Sequence, residues 1–139
     1  MVGSRMSEID LGVTMDALAA KLEDGGVSKR IYAWPVDSVA PPAVVIGYPT
    51  ALDFDVTFGR GSDRAVFPIY FVAGRISDRT TRDALSVIVT GANSIKTALD
   101  GPLSSTLGGT VRVTDCQVQE VTVGSISLLA AVFSTEVVT

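Results

Sequence analysis

Two long runs near the end of the chain, Thr110–Val123 and Ile126–Val138, flank the dipeptide Gly124-Ser125. Both are rich in β-branched residues, and a Gly-X pair at the centre of a two-residue connection suits a type II′ hairpin. A hairpin of that length commits the chain to a sheet. In the first arm Val111 and Val113 share one parity, Cys116 and Val118 take the other, and Val121 and Val123 return. Successive strand residues face opposite sides, so each parity break predicts a β-bulge. In the second arm Leu128–Phe133 is apolar at consecutive positions. That pattern belongs to a strand that is central or covered by another subunit.

The elements ahead of the hairpin follow from apolar spacing. Leu11, Met15, Leu18, Ala19 and Leu22 recur at i, i+4, i+7, i+8 and i+11, one face of a helix. Thr14 can cap its start, Asp16 suits the first turn, and Gly25-Gly26 ends it. Arg30–Trp34 reads as a short strand stopped by Pro35, and residues 36–42 as an extended loop. Ala43–Ile46 is a buried strand ending at Gly47 and Pro49. The central run gives a strand over Phe54–Phe58, a turn at Gly59-Arg60-Gly61, and a strand around Val66–Ala73. Pro68 inside that last strand demands an edge position or a bulge.

Ser77 or Asp78 can cap a second helix reaching about Thr90, with Ala84, Leu85, Ile88 and Val89 on its apolar face. Asp78 and Arg82 lie four apart with the acid first, the orientation that supports a helix. Gly91 closes it. A shorter helix over Asn93–Leu99 stops at Gly101-Pro102. The expected architecture is α+β: one domain over residues 1–139, with residues 1–10 flexible. Two or three helices pack on a mainly antiparallel or mixed sheet that ends in the long hairpin.

Composition narrows the function. At 139 residues the chain can bury a core without disulfides or metals. Apolar residues make up 47% and charged residues 19%, a surplus that partner subunits commonly cover. The net charge is −4, the wrong sign for gripping nucleic acid, where phosphate neutralisation supplies most of the affinity. Histidine is absent, which removes the usual general base, the Ser–His and Cys–His pairs and the commonest zinc ligand. The single cysteine, Cys116, reads as a small buried apolar residue in a strand. Lack of an internal disulfide fits synthesis in a reducing compartment. Residues 1–10 lack the apolar stretch of a signal peptide, and no apolar run approaches the ~18 residues of a membrane span.

The charged motifs carry no chemistry of their own. An EF-hand loop starting at Asp53 would need glycine and glutamate where Phe58 and Arg64 stand. Gly59-Arg60-Gly61 lacks the rest of any phosphate-loop signature, so a turn is the better account. No metal and no cofactor are expected. Arg60, Arg64, Arg75, Arg79 and Arg82 are interleaved with Asp63, Asp78 and Asp83, which reads as a solvated face or intersubunit ion pairing. Two carboxylates alone can hydrolyse a glycosidic bond, but nothing here singles out such a pair. The run Phe54–Arg64, with the strand and helix opening after it, looks like a contact surface rather than a catalytic pocket.

The order of elements resembles the tail terminator proteins of long, flexible-tailed bacteriophages, especially those infecting actinobacteria. The similarity spans Thr14–Leu22 to the last strand. It rests on Phe54-Asp55-Val56-Thr57-Phe58-Gly59-Arg60-Gly61, on Val72-Ala73-Gly74-Arg75-Ile76-Ser77-Asp78-Arg79 and on Ser94-Ile95-Lys96-Thr97-Ala98-Leu99. Leu107-Gly108-Gly109 and Ala131-Val132-Phe133-Ser134-Thr135-Glu136-Val137 add to it. The resemblance implies a non-enzymatic virion subunit, made in the host cytoplasm, that assembles into a ring, typically a hexamer. The ring caps the tail tube, ends its polymerisation and presents a docking face to the head-side connector, while DNA passes through without specific binding. Arg60, Asp63, Arg64, Arg75, Asp78, Arg79 and Arg82 are then the candidates for ring or tube contacts. A head–tail connector or a tail tube subunit would share the apolar surplus and mixed charge; a small carboxylate-dependent hydrolase is the enzymatic alternative.

Overall fold

The computed structural model describes residues 11–27, 30–35, 42–53, 64–90, 94–103, 109–123 and 125–138. The expected flexible start, the Phe54–Phe58 strand, the Gly59-Arg60-Gly61 turn, Gly91, Asn93 and Gly124 lie outside them. The elements in order are α1 (Leu11–Asp24), β1 (Arg30–Tyr32), β2 (Ala43–Ile46), β3 (Ala51–Asp53) and β4 (Arg64–Arg75). There follow α2 (Arg79–Thr90), α3 (Ile95–Leu99), β5 (Gly101–Pro102), β6 (Thr110–Val123) and β7 (Ile126–Val138). The strands form one sheet ordered β1-β2-β4-β7-β6-β5, with β3 also on β4. Among the described residues only the β1–β2 pair is parallel. The chain is α+β with a mixed sheet, as its sequence indicates.

Helix α1 begins a turn earlier than its capping signal. Leu11, expected on the apolar face, is exposed, and the buried face runs Thr14, Met15, Leu18 and Leu22; Thr14 thus lies inside the helix and Asp16 beyond its first turn. Its other end is a Schellman motif: Gly26 takes φ 85°, Gly26 N–H donates to Glu23 O and Val27 N–H to Leu22 O. Leu22 and Val27 both enter the core, so the motif also steers the chain toward β1.

Strand β4 is the spine of the sheet. It pairs with β2 and β3 on one side and with β7 over Arg64–Val138 to Arg75–Leu128 on the other. Pro68 therefore sits in a central strand, neither at an edge nor at a bulge. The reason lies opposite it. β2 ends at Ile46 and β3 starts at Ala51, so the link between them leaves the ladder where Pro68 has no N–H to give. Pro68 still accepts from Gly47 N–H at 2.8 Å, and Val66 from Thr50 N–H at 2.8 Å. The bulge on β4 comes later, between Val72 and Gly74.

Alternation along the strands builds the core on the helix-bearing face. Ala65, Phe67, Ile69, Phe71 and Ala73 of β4 and Ala131, Phe133 and Val137 of β7 are buried there with Val44, Ile46, Val111 and Val113. Leu18 and Leu22 of α1, Ile88 of α2 and Ile95 and Leu99 of α3 cover them. The expected α2 face holds: Ala84, Leu85 and Val89 pack against the cluster beside buried Ile88.

The hairpin follows its sequence closely, with Val123 opposite Ile126 at the closed end. β7 lies between β4 and β6, which accounts for its consecutive apolar residues. Of the two expected bulges, the first is present, where the register shifts between Val113 and Asp115. The second is absent. Pairing runs without a break from Asp115–Ser134 to Val123–Ile126, and residues 117–122 are all exposed. With neither face of that stretch buried, nothing forces its apolar residues to one side.

Two positions test this packing. Gly74 has φ 140°, and a Cβ there would lie 2.7 Å from Thr81 Oγ1, which is buried on α2. Gly74→Ala should destabilise by about 2 kcal/mol through backbone strain and displacement of α2. Thr135 Oγ1 is buried in the core face of β7 with no hydrogen-bond partner. Thr135→Val keeps the branched shape and should stabilise by about 1 kcal/mol. Urea unfolding at fixed protein concentration and unchanged m-value measures both.

Candidate interaction surface

The charged cluster expected from sequence divides between the two ends of β4. Arg60 and Asp63 lie outside the described residues. Arg64 opens the 12-residue strand and Arg75 closes it, roughly 35 Å apart in an extended chain. Arg64 belongs to the sheet itself. Its Nε donates to Glu136 Oε2 at 2.5 Å across the β4–β7 ladder. Glu136 sits opposite Arg112 on its other side, so a carboxylate on β7 is flanked by a basic residue on each neighbouring strand. A partly exposed cross-strand pair of this kind stabilises by about 0.2–1 kcal/mol. The pair helps fix the β4–β7 register at this end of the sheet.

Arg75, Asp78, Arg79 and Arg82 do come together, at the opposite end. Asp78 N–H donates to Arg75 O and Thr81 N–H to Asp78 O, so a tight turn carries β4 directly into α2. Ile76 N–H donates to Ser127 O at 3.0 Å and ties the turn to β7 beside the hairpin tip. All four charged residues are exposed. The expected Asp78–Arg82 helix pair is not made; the Arg82 guanidinium turns to Asp83, with Nη2 3.0 Å from Oδ1. Adjacency lets that short-range pair form without ordering the long side chain along the helix. Between the turn and the tip lies an open hollow of about 280 Å³, lined by Arg75, Ile76, Ser77, Ser125, Ile126 and Ser127. Ile76 and Ile126 are exposed at its rim, and Val87 on α2 is 52% exposed.

A second surface was not singled out by the charged residues. β5 pairs with β6 only at Thr110 and Val111. Next along that outer edge, Val113 is closed off by side chains of α3 and its end. Its N–H donates to Asp100 Oδ1 at 2.8 Å, and its carbonyl accepts from Lys96 Nζ at 3.1 Å. Lys96 and Asp100 also pair with each other at 2.7 Å. Ser94 caps the start of α3, accepting from Thr97 N–H, and holds this short helix in place. Beyond Val113 no strand among the described residues pairs with the outer edge of β6, from Asp115 to Val123. Val118 is 51% exposed there. The sequence signal for this bare stretch was the second parity break, which marks a strand segment with no buried face.

Partial burial pushes the Asp100 carboxyl up, but the hydrogen bonds from Lys96 and Val113 and the charges of Lys96 and Arg112 outweigh it and hold it below 3.8. Cys116 is partly buried against the core rim, and burial, then the Asp115 charge, push its thiol above its usual value of 9.0. A thiol held protonated in this way is a packing group, not a nucleophile.

Among the described residues no group of three or more Cys, Asp or Glu could hold a metal ion, and no helix is long and apolar enough to cross a membrane. What the surface offers chemically is recognition: guanidinium forks, carboxylates, exposed aliphatic side chains and bare backbone. No protein-family model matches the chain, and no curated protein does.

Asp100 carries a pH signature. A carboxyl whose folded pKa lies below its unfolded value contributes stability fully above the unfolded value, and loses it as pH falls through the folded one. Wild-type stability should therefore drop as pH is lowered below about 4, as an Asp with a depressed pKa is protonated. In Asp100→Asn that portion of the acid slope should be missing, which urea midpoints from pH 2 to pH 7 will read.

Proposed function

We propose that this chain is a ring-forming structural subunit of a bacteriophage tail. The ring caps the finished tail tube, stops its polymerisation and joins the tail to the head-side connector. The observation that carries this reading is the exposed end of the sheet. There Arg75, Arg79 and Arg82 stand near exposed Ile76 and Ile126, on a fold with a fully formed core of its own. Aliphatic groups mixed with arginine are the composition of a recognition surface. The sequence similarity to tail terminators includes the segment Val72–Arg79, which builds this turn.

The charge balance fits the same reading. A net charge of −4 disfavours retention of DNA, which in this function slides through a channel without being held. A ring whose channel proved to be lined by bases would contradict that part.

Mass and shape in solution, by light scattering and negative-stain imaging with and without purified tail tubes, test the proposal. Single rings, or monomers that become rings only at tube ends, are expected. Filaments formed by the chain alone would instead make it a tube subunit. A monomer indifferent to tubes would overturn the reading.

A further inference from the structure

We infer that the acidic outer edge of β6 docks on the β4–α2 turn of a second copy of this chain. The inference rests on the ring-subunit reading and names its contact.

The two surfaces are complementary and belong to different parts of the protomer. Between Val113 and Ile126 the only charges are the acids Asp115 and Glu120, and Val118 and Val121 stand exposed among them. The turn presents Arg75 and Arg79 around exposed Ile76, and neither arginine makes an ion pair among the described residues. Within one chain β7 stands between β4 and β6, so the bare edge faces away from its own turn by two strand spacings, about 10 Å. A second copy must bring them together.

The fold already shows how this edge is satisfied. At Val113 the outward N–H and carbonyl are taken by a carboxylate and a basic side chain. Beyond Val113 no strand among the described residues takes up the outward groups of this edge, and an arginine fork offers the donors that Lys96 supplies one step earlier. Self-pairing of two β6 edges is the competing arrangement. It would bring Asp115 and Glu120 of both copies onto one ladder, where like charges oppose it. Docking edge to turn is heterologous, since each copy offers one surface and receives the other. Such a contact closes into a ring when the rotation per subunit allows.

The experiment uses the full chain, with tail tubes where rings form only on their ends. Glu120→Arg and Arg79→Glu should each raise the concentration needed for half-assembly by about tenfold, since each places like charges across the contact. The double variant Glu120→Arg/Arg79→Glu should recover most of that loss, and circular dichroism should show all three folded. Cross-linking gives an independent reading. With Cys116→Ser as background, Val118→Cys with Ile76→Cys should yield a ladder of disulfide-linked oligomers on mild oxidation, and either cysteine alone no ladder. Wild-type rings that tolerate both single reversals, no recovery in the double variant, or no ladder would each overturn the contact while leaving the ring reading intact. A wild-type chain that never assembles would remove both.

Discussion

Everything in this molecule leans on the pairing of β4 with β7. It joins Arg64 to Val138 and Arg75 to Leu128, residues far apart in sequence, and buries Phe67, Ile69 and Phe71 beside Ala131 and Phe133. The three helices contribute buried side chains only because this double row gives them a continuous apolar surface to cover. The short strands depend on it as well. β2 and β3 are four and three residues long, too short to hold a sheet alone, and each is placed by the stretch of β4 it meets. Even the proline in β4 is tolerated because those two strands leave a gap beside it.

Much of this was legible from spacing alone. Wherever a face is buried, period and parity report it: Met15, Leu18 and Leu22 for α1, Ile88 with Ala84 and Leu85 for α2, and the double-sided apolar run of β7. The failures have physical causes. Thr14 offers a capping oxygen, but it lies on the buried face of α1 with Met15, Leu18 and Leu22. Pro68 was read against the rule for an ordinary strand, and a seam between two neighbours is invisible to any local pattern. β3 and β5 are set by partners distant in sequence rather than by their own two or three residues. The charged cluster was read as one surface because its members are close in sequence. A fully extended strand carries Arg64 and Arg75 to opposite ends, and among the described residues Arg75, Asp78, Arg79 and Arg82 gather at one of them.

The long hairpin divides its labour along its length. Near Val111, Val113 and Val137 it is core, sealed on the outer edge by Lys96 and Asp100. Past the Thr114 bulge β6 becomes surface from Gln117 on, while Ala131 and Phe133 of β7 beside it stay in the core. The bulge marks this change of duty, since it rotates the outer half of β6 relative to the half that packs. The exposed groups of β6 are thus separate from the groups that hold the core.

The position of β7 has a consequence for how the chain is made. β4 leaves the ribosome some fifty residues before the strand that will stand beside it, and the two helices and β6 emerge in between. Until β7 arrives, Phe67, Ile69 and Phe71 have a completed neighbour on one flank only, and β6 has no inner partner at all. β7 follows β6 by a short connection and can pair with it locally, so the sheet closes when this hairpin meets β4. The β4–β7 pairing is thus the long-range contact that folding has to wait for, and its loop-closure cost should weigh most on the folding rate.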